Sequence, residues 1–164
     1  MPTVLIADDE VDHRELLTFA LHRLGYDVVT AADATAALAL LAGGGIDAAL
    51  IDVRMPGISG IELCRRIRSS PETELLPVMV ISADVHRHQI MTALHAGADD
   101  FLAKPFSRAE LTSRLEALLR TRPSAAARSA AAARAAMLAT RHALLDDRRP
   151  PRQQQQPVRY LNIA

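Results

Sequence analysis

Five polar side chains stand where apolar runs of this 164-residue chain stop. Asp8 and Asp9 follow "TVLIA", Asp52 ends "AALI", Ser82 closes "VMVI", and Lys104 follows "DFLA". Carboxylates crowded round one crevice repel each other unless a cation offsets them. A hard divalent ion suits them: Mg²⁺ takes one or two carboxylates, keeps several waters and accepts phosphate oxygens in its remaining positions. The Lys104 ammonium and the Ser82 hydroxyl are suitable partners for phosphate oxygens. A carboxylate beside such an ion can attack phosphorus itself, giving an acyl phosphate. The chemistry to look for is phosphoryl transfer onto an aspartate.

Lys104 stands out for a second reason: the chain has 18 arginines and this single lysine. In that background a lone lysine marks a position that needs a compact ammonium rather than a planar guanidinium. The six histidines, His13, His22, His86, His88, His95 and His142, show no common metal-ligand spacing and read as surface or core residues. Cys64, the only cysteine, has no intrachain disulfide partner and reads as a small buried residue in a reducing cytoplasm.

For the five polar groups to meet, the fold must bring distant strand ends to one edge. Short apolar runs at 3–7, 26–31, 48–51, 77–83 and 100–103 alternate with helical patterns, so the sequence predicts five β-then-α units. The runs are continuous rather than alternating, as in a parallel sheet buried on both faces by right-handed crossovers. Ser59 with Glu62, and Ser107 with Glu110, have the spacing of capping boxes that open helices from 60 and 108. Asp84 is expected to cap the fourth helix and Gly97 to close it. In such a doubly wound α/β sheet the ligand site lies beyond the carboxyl ends of the strands.

The motifs "IADDE", "LIDVRMPGISGIEL", "VISA" and "DFLAKPF" occur in this order from residue 6 to residue 106. Together they resemble the response-regulator receiver domain of bacterial two-component signalling, over residues 3 to about 120. The resemblance implies a flavodoxin-like strand order 2-1-3-4-5. It implies that Asp52 is the phosphoacceptor and that Asp8, Asp9, Asp52 and the backbone carbonyl of Arg54 hold Mg²⁺. It further implies that Ser82 and Lys104 contact the phosphoryl group, that Phe101 fills the place of a Tyr or Phe rotamer switch, and that Pro105 follows a cis peptide. Judged singly, Asp8 and Asp9 would read as helix-capping acids, Ser82 as a buried hydroxyl and Phe101 as plain core. A histidine kinase or a histidine phosphotransfer protein is the implied donor. The face of the fourth helix, fifth strand and fifth helix is the implied output, and a homodimer through it is allowed. Beyond the family pattern, Arg54 and Asp84 are expected at the rim, paired across the crevice.

Residues 1–120 carry 17 acids and 11 bases, whereas residues 121–164 carry 2 acids and 8 arginines. The division expected is a receiver domain over 1–121 and an Ala/Arg-rich helical extension with a disordered tail over 122–164. Pairs at 130/131, 137/138 and 144/145 repeat every seven residues, and "QQQQ" at 153–156 is low complexity. The arginines make a strong local field, but without interleaved aromatics specific nucleic-acid reading is not expected. No apolar run reaches the roughly 18 residues that cross a bilayer. Acids at 8–10 and the lack of a basic flank argue against a secretory signal, so a cytoplasmic location is expected. The reading is of a signalling module rather than an enzyme. An aspartyl-phosphate phosphatase would place D-x-D on its first strand, where this chain has Asp8-Asp9. The remaining alternative is the receiver part of a DNA-binding regulator whose output domain lies elsewhere.

Overall fold

A computed structural model describes residues 1–120; the predicted extension and tail lie outside the described residues. Ten elements alternate: β1 (Thr3–Ala7), α1 (Val11–Arg23), β2 (Asp27–Ala31), α2 (Ala34–Ala42), β3 (Ala48–Asp52), α3 (Gly60–Ser69), β4 (Val78–Ser82), α4 (Arg87–His95), β5 (Asp100–Ala103) and α5 (Arg108–Arg120). The strands form one parallel sheet in the order β2-β1-β3-β4-β5. Chain order reverses between β1 and β3, so the ends of these two strands flank the switch point.

Alternation along each strand sends side chains to two separate cores. Val4, Ile6, Ala48, Leu50, Met79, Ile81 and Leu102 face α1 and α5, meeting Leu17, Leu21, Leu111 and Leu115. Leu5, Ala7, Ala49, Ile51, Val78 and Val80 face α2, α3 and α4, meeting Ala37, Leu41, Ile61, Leu63, Cys64, Ile67 and Ala93. The central strands β3 and β4 are buried at every residue, which is why their sequences are continuous apolar runs up to the polar residue that ends each. At the sheet's edge β2 leaves Asp27 and Thr30 exposed. Among the described residues no helix is long and apolar enough to cross a membrane.

Two helix starts differ from the sequence reading. Ser59 Oγ accepts the Glu62 N–H at 3.2 Å, but the Glu62 carboxylate turns outward to Arg65 and Arg66 instead of returning to the cap. Asp84 does not cap α4: the N-cap is His86, and the Asp84 carboxylate accepts the His86 N–H at 3.0 Å, ahead of the helix. Asx turns of this kind compete with capping for the same short side chain.

Candidate functional site

β3 runs one residue further than the apolar pattern, so Asp52 is its last residue. A strand end buried on both faces carries this carboxylate into the crevice only 7% exposed. The loop behind it is held by a close approach: a Cβ on Gly60 would lie 2.0 Å from the Asp52 carbonyl oxygen, and the Gly60 N–H donates to the Val53 carbonyl at 2.9 Å. Gly57 supplies the positive φ of 76° that turns the chain after Pro56. Together these glycines let α3 begin against the strand end that bears Asp52.

β1 delivers Asp8, 2% exposed, just past its last residue. The Asp8 N–H donates to the Ala31 carbonyl, and the Arg14 guanidinium donates to the Asp8 carbonyl at 2.7 Å, which ties this turn to α1. One carboxylate oxygen accepts the Glu10 N–H at 2.9 Å; the other meets His13 Nδ1. From β5, Lys104 Nζ donates to Asp52 Oδ2 at 2.9 Å and lies 3.7 Å from Asp8 Oδ2. Asp52 Oδ1 accepts the Arg54 N–H at 3.1 Å. The lysine thus stands between two buried carboxylates, hydrogen-bonded to Asp52 and within ion-pair distance of Asp8. The Lys104–Pro105 peptide is cis.

Ser82 ends β4, 2% exposed, and its Oγ accepts the Asp84 N–H at 3.0 Å. Among the described contacts its own hydrogen is not committed to an acceptor. The Lys104 N–H donates to the Ser82 carbonyl at 2.9 Å, which ties the ends of β4 and β5 together. Phe101 is half-buried and packs against the core beneath α2, α3 and α4.

This arrangement differs from expectation at the rim, and it contains one unexpected feature. Arg54 and Asp84 form no ion pair: Asp84 binds His86, whose N–H groups hold its carboxyl below the usual range, with Arg54 adding only a weak long-range pull. Asp9 is exposed and stands outside the tight group of potential ligands. That group consists of Asp8, His13 and Asp52, one ligand atom from each lying within 4.8 Å of the others. Sequence reading missed His13 because it looked for spacing among histidines. The usable signal was its distance from the acids: the third residue of α1 lies one turn beyond Asp8, where helix side chains tilt back toward the N-terminus.

Two buried carboxylates against one ammonium leave an excess of negative charge, and the donors are mainly oxygen. This set fits Mg²⁺, which accepts such ligands while keeping water.

The model of the response regulator receiver domain family matches residues 4–116. The response regulator MprA of Mycobacterium bovis is 42% identical over 125 residues, covering 76% of this chain and 54% of the relative. A putative response regulator from Chloroflexus aurantiacus superposes with a TM-score of 0.71 at 38% identity, covering 74% of this chain and all of that one. The response regulator TrrA of Thermotoga maritima, solved in complex with Mg²⁺-BeF, superposes at 0.66 with 33% identity, covering 73% and 100%. The chain spans about half the length of the curated relatives it matches.

Proposed function

The chain belongs to the response regulator receiver family, and we propose that Asp52 is its phosphoacceptor, charged by a histidine kinase or a histidine phosphotransfer protein. The single observation carrying this reading is the bridge of Lys104 from β5 to Asp52 of β3, beside buried Asp8 of β1. An Asp52 carboxylate oxygen attacks phosphorus, the bond from phosphorus to the donor's imidazole nitrogen breaks, and the freed imidazole keeps the electron pair and takes a proton. Lys104 transfers from Oδ2 to a phosphoryl oxygen, and the uncommitted Ser82 hydrogen donates to another. Asp8, Asp9, Asp52 and the Arg54 backbone carbonyl would hold Mg²⁺, which when bound offsets charge on the incoming group and on the carboxylate that attacks it.

Drawing Ser82 inward releases its hold on the Asp84 N–H and shifts the loop leading to α4. Phe101, half-buried beside that helix, then turns into the vacated space, and the α4-β5-α5 face changes shape. The phosphoryl group shifts this balance only by its different contacts in the two packings. Homodimerisation through that face and a cytoplasmic setting agree with this reading. An output through nucleic acid has no support in the described residues.

Incubation with radiolabelled acetyl phosphate tests the assignment. Label is expected in the wild-type protein with Mg²⁺, and not after chelation or in Asp52→Asn. Equal labelling of Asp52→Asn would discard it.

A further inference from the structure

We infer that His13 is an additional ligand at this metal site, and that it shifts the site's preference from Mg²⁺ toward borderline divalent ions that accept imidazole. The inference rests on the acidic site proposed above and adds to it a residue that the acid pattern does not contain. His13 Nδ1 faces the Asp8 carboxylate, and the ligand atoms of Asp8, His13 and Asp52 lie within 4.8 Å of one another, a span that a single ion can bridge. The ring is not a loose surface group. Its side chain is 17% exposed, and its edge packs on Phe106, with centroids 6.3 Å apart and planes at 63°. Phe106 lies two residues beyond Lys104, so one segment positions both the ammonium and the imidazole.

The chemistry follows from the donor type. Mg²⁺ prefers oxygen and gains little from an imidazole, whereas Co²⁺, Ni²⁺ and Zn²⁺ bind imidazole nitrogen well. With its hydrogen on Nε2, the neutral ring presents the Nδ1 lone pair to the ion. One imidazole added to the carboxylates and carbonyl of this site therefore lets it discriminate among divalent ions in a way that oxygen donors alone do not.

Calorimetric titration of the full chain with Mg²⁺ and with Co²⁺ tests this in wild type, His13→Ala, His13→Gln and Asp52→Asn. His13→Gln keeps bulk against Phe106 while removing the ring nitrogen, which guards against a variant that merely packs badly. The ratio of Co²⁺ to Mg²⁺ affinity is expected to fall at least about tenfold in both His13 variants. The wild-type Co²⁺ complex should show a paramagnetically shifted imidazole N–H resonance that both variants lack. If Mg²⁺ binding depends on Asp52 while the Co²⁺ ratio and spectrum are indifferent to His13, the inference fails alone. If neither ion's binding depends on Asp52, the acidic site fails and this inference with it.

Discussion

Lys104 holds two buried carboxylates together at 2.9 and 3.7 Å, so its removal leaves them facing each other with no cation between. Lys104→Met is expected to lower unfolding stability by about 2 kcal/mol, the buried-pair penalty reduced because the lysine is partly exposed. Urea unfolding checks this, and Mg²⁺ should recover part of the loss by supplying the missing charge. Asp52→Asn relieves the repulsion instead, and should unfold no more easily than wild type while losing the stabilisation that Mg²⁺ confers. At this scale most of the site was legible: acids, hydroxyl and ammonium each ended an apolar run. His13 was not, because its partner is an aspartate in the preceding turn, and Asp84 was misread because a short carboxylate serves a turn as readily as a cap.

The elements set how close these residues come. Gly60 lets α3 start against the carbonyl of Asp52, and Gly60→Ala would drive a methyl into it, at 2.0 Å. This substitution is expected to cost about 3 kcal/mol or more in chemical denaturation, and to slow labelling of Asp52 by displacing its strand end. On the same helix Cys64 is fully buried, and burial pushes its thiol up to about 11. A thiol whose pKa is raised in the fold stabilises the fold at neutral pH, and that contribution disappears as pH rises through about 11. Ellman's reagent at pH 8 should therefore react slowly with the native protein and promptly once urea is added. α1 leaves Val11, Leu16 and Phe19 exposed, an apolar face available to the proposed phosphodonor. Phe19→Ala is expected to slow transfer from a phosphorylated kinase severalfold and to leave labelling by acetyl phosphate unchanged. Slowing of both reactions alike would remove α1 from donor docking. Strand positions were readable because β3 and β4 are apolar up to their last residues; the end of β3 was misjudged by one residue because its last member, Asp52, is charged yet buried.

Across the whole molecule, five strands that pair in the order 2-1-3-4-5 bring residues 8, 52, 82 and 104 to one edge. Strand order itself was not readable from periodicity, which cannot say which buried strand neighbours which; it came from the family resemblance. The acidic residues 1–120 and the arginine-rich remainder oppose each other in sign, a contrast that composition alone exposes. The central claim is that these distant residues make Asp52 the group that takes phosphate. Borohydride reduction of the protein after acetyl phosphate and Mg²⁺, followed by peptide mass spectrometry, tests it most directly. The expected result is homoserine at position 52 and at no other aspartate; homoserine at Asp8 or Asp9, or none at all in a phosphorylated sample, would contradict it.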